Sequence, residues 1–241
     1  ATTMPTKDAK DFPPTQKVDT ECIGILDLDL FRKVATGVST DQMRPVLTCV
    51  YLDGENMVAA DGFRLSVAPC AIAIPSITPP PTSKRKKAAP PLAASFIVPP
   101  SNLLDGANAT VYTNGQTIKM EWGNKAVYIR LVQGNFPNYS PLIPSTWTAA
   151  LTVPQVDMRQ AIADVTPVAV RESGIVRLQC NHGLLSVSAR AGDTHTERMV
   201  LVAHEGDEFK IAFGVRYLKD AFDIMSGETA RIEITTPSSP R

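Results

Sequence analysis

Aromatic residues are scarce in this chain. Phe, Tyr and Trp together make up 6% of its 241 residues, so a packed interior has to be built from Val, Ile, Leu and Ala. Histidine is scarcer still. His182, His195 and His204 fall in turns or strands with no Asp or Cys cluster beside them, so the ligands a metal ion needs do not converge. The four cysteines, Cys22, Cys49, Cys70 and Cys180, form no C-x-x-C pair, which fits free thiols in a reducing cytosol better than a disulfide framework. No apolar run approaches the roughly 18 residues that span a bilayer. The opening ATTMPTKDAKDFPPTQK is polar and Pro-bearing, unlike a secretory leader. A cytoplasmic protein with no membrane partner is expected. Neither sign of charge is in excess, since 24 Lys and Arg balance 24 Asp and Glu. That excludes a uniformly basic nucleic-acid binder and leaves room for a local basic face.

Catalytic signatures are missing as well. There is no phosphate loop, G-x-S-x-G or H-E-x-x-H, and no nucleophile stands beside a base. Asp27 and Asp29 pair two carboxylates, but at the start of a helical stretch, where acidic residues cap the first turn. Asp61 begins an Asp-Gly turn, and backbone geometry explains it without chemistry. These residues point to a protein that is not an enzyme and carries no cofactor and no metal.

What is present is a repeating pattern. Residues 1–20 read as a tail or linker. A strand is predicted over Cys22–Leu26, then a helix over Asp29–Ser39 with Leu30, Phe31, Val34 and Val38 on one face. Strands over Val46–Leu52 and Asn56–Ala60 are joined by the hairpin pair Asp53-Gly54, and a third strand covers Leu65–Ile74. The Pro-rich segment 75–91 interrupts, with the run Lys84-Arg85-Lys86-Lys87. It reads as an exposed loop or linker, with a nuclear-localisation or phosphate-binding patch as the sharper alternative.

The pattern then returns. A strand at Phe96–Val98 precedes a short helix over Pro99–Ala107, and strands follow over Thr110–Thr113, Gln116–Trp122 and Ala126–Val132. A third round has a strand at Trp147–Val153 and a helix over Gln155–Thr166 that Pro167 ends. Its hairpin, Ile175–Cys180 with Leu184–Arg190, leads into a strand over Thr194–Ala203. A fourth round has strand Glu208–Phe213, helix Val215–Ser226 and strand Ala230–Thr235. Two rounds make a domain of roughly 120 residues. The expected boundary is near Ser145, giving domains over 21–145 and 146–241, the second C-terminally incomplete.

The polar helix faces carry Arg32, Lys33 and Arg44 around the first helix, Arg159 and Arg171 on or after the third, and Arg216 and Lys219 on the fourth. Asp164, Asp220 and Asp223 dilute them. Cations repeated on helices suit sequence-independent contacts to phosphates. A solvated helix face explains each residue taken singly.

Ala59-Ala60-Asp61-Gly62-Phe63-Arg64-Leu65, preceded by RPVLTCVYLDGENMV, resembles the second domain of the bacterial DNA polymerase III beta subunit, the DNA sliding clamp, where a hairpin runs into A-T-D-G-H-R-L. Three further stretches are similar to the same family. They are Phe96-Ile97-Val98-Pro99, the segment Gly134-Asn135-Phe136-Pro137-Asn138-Tyr139 with Pro144, and Phe213-Gly214-Val215-Arg216-Tyr217-Leu218-Lys219-Asp220. They lie in family order from about residue 21 to the end.

The resemblance implies an α+β clamp fold of β-α-β-β-β units, with helices on the inner face and curved antiparallel sheets outside. It also implies a homo-oligomeric ring around duplex DNA that acts as a replication processivity factor. Its partners would be DNA polymerase, clamp loader and repair proteins, docked through short linear peptides. Carried over by position, the peptide groove uses Leu47, Ala60, Gly62, Phe63, Arg64, Leu65, Pro137, Leu142, Gly214 and Tyr217. The cations Arg32, Lys33, Arg44, Arg159, Arg171, Arg216 and Lys219 would face DNA.

This chain departs from the family pattern in several places. Ala60 stands for Thr and Phe63 for His, which makes the groove more apolar, and Gly214 stands where Asn is common. The loop at 75–91 is longer than expected. A first domain and the final strands with their M-P-M-like tail are not found, so a piece of a three-domain clamp or a two-domain relative is expected. The alternative reading is a clamp-like protein-interaction module that does not encircle DNA.

Overall fold

The computed structural model describes residues 21–70, 72 and 95–235. The expected tail 1–20, the far end of the strand placed at Leu65–Ile74, the basic loop 75–91 and the last residues of the chain lie outside them. The described chain runs β1 (Glu21–Asp27), α1 (Leu28–Ala35), β2 (Val50–Leu52), β3 (Asn56–Ala60), β4 (Leu65–Pro69), β5 (Phe96–Val98), β6 (Asn108–Thr113), β7 (Thr117–Trp122) and β8 (Lys125–Arg130). It continues with β9 (Ala149–Pro154), α2 (Gln155–Ala169), β10 (Ile175–Asn181), β11 (Leu184–Ala191), β12 (Thr194–Leu201), β13 (Ala203–Gly206), β14 (Phe209–Gly214), α3 (Val215–Ile224) and β15 (Thr229–Ile234).

All strand pairs are antiparallel. They form sheets β1-β6-β7-β8 and β4-β3-β2-β5 in the first half, and β12-β11-β10-β14 and β13-β9-β15 in the second. Two separate apolar cores result, one spanning residues 23–131 and the other 149–234. Each helix lays one stripe on its core. In α1 the stripe is Leu28, Phe31 and Val34, and in α3 it is Val215, Leu218 and Phe222. Asp27 caps α1 by accepting from the Leu30 N–H at 2.9 Å, and Asp29 follows in its first turn. Among the described residues no helix is long and apolar enough to cross a membrane.

The structure corrects four sequence expectations. Pro99–Ala107 forms turns rather than a helix. After Pro99-Pro100 only seven residues remain, too few to hold a helix alone. The Arg32 guanidinium also takes the Leu104 carbonyl and, at 3.0 Å, that of Gly106, while Leu104 is fully buried. Val46–Leu52 is half strand, since Pro45–Thr48 closes a 3-10 turn before β2. Pro167 does not end α2, which continues to Ala169. Pro167 sits on the exposed side, so the carbonyl left without a donor faces water. The strand expected at Thr194–Ala203 divides at Val202, where the chain leaves the sheet of β11 and joins the sheet of β9 as β13.

Candidate functional site

The turn between β3 and β4 is built by Asp61. Its Oδ1 accepts from the backbone N–H of Phe63 at 2.9 Å and of Arg64 at 3.1 Å. Gly62 takes φ +93°, a conformation that glycine adopts without strain. The turn throws Phe63 outward, 83% exposed, and brings Arg64 back toward the protein.

Every guanidinium nitrogen of Arg64 then finds an acceptor. Nε donates to Asp61 Oδ2 at 3.1 Å, Nη1 to Asp220 Oδ2 at 2.6 Å and Nη2 to the Thr36 carbonyl at 2.6 Å. Thr36 is the C-cap of α1, where a cation is favoured. The guanidinium carbon also lies 5.1 Å from the centre of the Tyr217 ring, within cation–π range. One side chain thus joins the β3–β4 turn, the end of α1 and helix α3 of the second half. The Phe63 ring lies 6.1 Å from that of Tyr217. Gly214, the N-cap of α3, has a role the sequence reading missed. A Cβ there would stand 3.1 Å from Tyr217 Cδ2, so the glycine lets the ring lie against the backbone.

Two hollows meet at the Arg64–Tyr217 pair. One, of about 380 Å³, runs between α1, β4 and α3 and is lined by Leu30, Val34, Leu65, Ala221 and Ile224, with Lys33 and Asp220 among its polar groups. The other, of about 200 Å³, is lined by Asp41, Arg44, Asp61, Phe63 and Arg216. A larger hollow of about 660 Å³ at the β7–β8 turn shares no residue with this site.

Of the ten expected groove residues, Phe63, Arg64, Leu65 and Tyr217 line these hollows, and Gly62 and Gly214 shape the backbone beside them. Ala60 ends β3 at the edge of the turn. Leu47 is buried and supports the approach to β2, its carbonyl accepting from the Ser39 N–H at 2.8 Å. Pro137 and Leu142 line neither hollow. Their segment is fastened elsewhere. Phe136 stacks on Tyr51 with ring centres 4.7 Å apart, and the Tyr139 hydroxyl donates to Asp53 Oδ2 at 2.5 Å while accepting from Asn56 Nδ2 at 3.3 Å. Burial opposes ionisation of Asp53, but its hydrogen bonds, led by that of Tyr139, hold the carboxyl below the usual range. Burial, and then the Asp53 contact, push the Tyr139 hydroxyl up to about 12.

The expected DNA-facing cations divide. Arg32 holds the Leu104 and Gly106 carbonyls and pairs with Asp29 at 2.7 Å. Arg159 bridges α2 to the end of α3, donating to the Phe222 and Met225 carbonyls, each at 2.9 Å, and to Gln155 Oε1 at 2.7 Å. Lys33 lies 3.8 Å from Asp29 and Lys219 2.8 Å from Asp223. Arg171 is exposed just past the end of α2. Arg44 and Arg216 line the smaller hollow beside Phe63. Asp220, which by composition only dilutes the positive charge, is the partner that holds Arg64 to α3. It lies three residues after Tyr217, hence on the same helix face, and that spacing was readable.

Residues 140–241 match the family of the DNA polymerase III beta subunit, C-terminal domain. The beta sliding clamp of Caulobacter vibrioides (strain NA1000 / CB15N) is 28% identical over 264 residues, covering 98% of this chain and 66% of its own length. Along nearly its whole length the chain is similar to beta sliding clamps. Crystal structures agree on the fold. The C. crescentus beta sliding clamp superposes with TM-score 0.76 at 24% identity, covering 98% of this chain and 65% of its own. The Bacillus subtilis DNA polymerase sliding clamp gives TM-score 0.76 at 21% identity, covering 95% and 62%. The α+β clamp fold is therefore the observed one, and the chain spans about two thirds of the length of the relatives it matches.

Proposed function

We propose that this chain works in a DNA sliding clamp, a non-enzymatic processivity factor that encircles duplex DNA in its assembled ring and tethers DNA polymerase. Clamp loader and repair proteins would dock on it through short linear peptides. The observation that carries this reading is the Arg64–Tyr217 junction, where two clamp-like units meet beside an exposed phenylalanine and a largely apolar hollow. An apolar trough with a few fixed polar groups suits an extended peptide. The groove is assigned to Phe63, Arg64, Leu65 and Tyr217, shaped by Gly62 and Gly214, with Leu47, Ala60, Pro137 and Leu142 at its margin. The domain boundary is placed near Ser145, and the cytoplasm is the proposed compartment.

The test is binding of a fluorescein-labelled clamp-binding peptide from a bacterial DNA polymerase to the native full-length protein. Arg64→Ala and Leu65→Ala should each weaken it about tenfold or more, and unchanged affinity would remove the groove assignment. Encirclement predicts retention on circular but not linear duplex DNA, fading with salt.

One observation favours a second reading, an interaction module that does not ring DNA. Arg32, Lys33 and Lys219 are paired with carboxylates, and Arg159 is bound to carbonyls. Equal retention on circular and linear DNA, with a strict monomer in solution, would support the module.

A further inference from the structure

The smaller hollow contains an arginine that has no close partner among the described residues. Three arginines line it, Arg44, Arg64 and Arg216, together with Asp41 and Asp61. Both carboxylates are engaged. Asp41 receives the Met43 N–H and Arg44 Nε, each at 2.9 Å. Asp61 receives the turn N–H groups and Arg64. All three guanidinium nitrogens of Arg64 are engaged as well. Arg216 differs. Its side chain is 78% exposed, and its one ion-pair partner among the described residues is Asp220 at 4.0 Å, an oxygen already 2.6 Å from Arg64. Arg44 uses its Nε for Asp41, and its Nη1 reaches within 3.8 Å of where a Gly62 Cβ would stand, next to Phe63.

The position of Arg216 works against its own helix. It is the second residue of α3, whose N-cap Gly214 gives no side-chain bond and whose first turn holds no acidic residue. A cation at a helix N-terminus opposes the macrodipole. Helix stability therefore does not explain this residue, and its place at the rim of the hollow offers a reason.

We propose that Arg216, with Arg44 beside it, is a specificity-determining residue of the groove that selects linear peptides carrying an acidic residue next to an aromatic or aliphatic one. This rests on the peptide-groove reading above. The apolar neighbour lies on the Phe63–Tyr217 pair, and the carboxylate takes the unshared face of Arg216. A volume of about 200 Å³ suits a side chain or two rather than a free small molecule, whose sites run to roughly 300–1,000 Å³. A duplex phosphate backbone is a poorer match. Asp41, Asp61 and Asp220 surround the three arginines and repel a continuous run of phosphates, whereas a single carboxylate can lie between them.

The test uses the native full-length protein and two fluorescein-labelled peptides that share a polymerase clamp-binding sequence. They differ only in Asp or Asn beside the aromatic residue. The Asp peptide should bind about three- to tenfold tighter at low salt, the range of an exposed ion pair or two. That advantage should shrink at high salt. Arg216→Ser should bring the ratio of the two dissociation constants toward one, and Arg216→Lys should keep most of it. Equal binding of both peptides to the wild type overturns the proposal and leaves the groove reading standing, as does Arg216→Ser weakening both alike. If Arg216→Ser keeps the ratio but weakens binding of a 30-base-pair duplex, Arg216 is a DNA contact and the proposal fails. Failure of both peptides to bind at all overturns the groove reading, and the proposal with it.

Discussion

Strand β3 begins and ends at an Asp-Gly turn, and the two turns are put to different uses. In each, one carboxylate oxygen holds the backbone. Asp53 Oδ1 accepts from the Glu55 and Asn56 N–H groups at 2.9 and 2.7 Å, as Asp61 Oδ1 does from Phe63 and Arg64. The second oxygen reaches out. That of Asp53 takes the Tyr139 hydroxyl and fastens the 134–143 segment, while that of Asp61 takes Arg64 and orients the junction between the two units. Around Asp53 the contacts close on themselves, with Phe136 stacked on Tyr51. Around Asp61 an exposed phenylalanine and a loosely paired arginine remain. The same turn chemistry yields a fastener at one end of the strand and an exposed, open surface at the other, and the difference lies in what the second oxygen meets.

The sharpest way to break this comparison is to change that oxygen alone. Asp61→Asn keeps an oxygen for the backbone but turns an amide toward Arg64, which repels it. The expected cost is about 2 kcal/mol in denaturant unfolding, with about a tenfold loss of peptide affinity. Asp53→Asn likewise keeps an oxygen for the backbone and turns its amide toward Tyr139, but the neutral hydroxyl oxygen can accept from that amide instead of donating, so about 1 kcal/mol of stability should go and the peptide affinity should hold. Equal losses of affinity in the two variants would erase the distinction between the ends.

Tyr139→Phe tests the fastener and should cost about 1 kcal/mol. Its pH dependence carries a sign at each end. The folded Asp53 carboxyl is depressed, so its contribution is present above its unfolded value of about 3.9 and is lost as pH falls through the folded one. The folded Tyr139 hydroxyl is raised to about 12, so its contribution is present below about pH 10 and is lost as pH climbs from there to about 12. The stability difference between wild type and Tyr139→Phe should therefore be flat from about pH 5 to 9 and fall away on both sides. A difference that does not change with pH would mean that the hydroxyl bond contributes nothing.

Local chemistry made most of the fold legible. The Asp-Gly and Asn-Gly turns announced hairpins, and apolar spacing announced α1, α2 and α3. What failed was decided at long range. The turns at 99–107 depend on Arg32, about 72 residues away in sequence, and nothing local marks that arginine as their holder. Asp220 was visible on the face of Tyr217, but its partner Arg64 is 156 residues earlier. Composition alone therefore took it as a charge that weakens a basic helix. Arg44 and Arg216 flank helices, which suits cations facing DNA, and their lining of the hollow beside Phe63 is a further fact that the sequence does not show. Their place beside Phe63 depends on how the second unit packs on the first, which periodicity does not carry.

The smallest effect is the one that separates stability from recognition most cleanly. Arg216 opposes the dipole of α3 without compensation from its first turn. Arg216→Ser should therefore stabilise the protein slightly, by about 0.3–1 kcal/mol at low ionic strength, read as a rise in melting temperature that salt reduces. Arg64→Ala should lower it, because Arg64 is the only one of the two that satisfies buried-edge carboxylates on both sides of the junction. Two arginines on one hollow would then move stability in opposite directions. If Arg216→Ser destabilises instead, its 4.0 Å approach to Asp220 is holding the junction together, and the contrast between a fastened and an unfastened cation at this turn is lost.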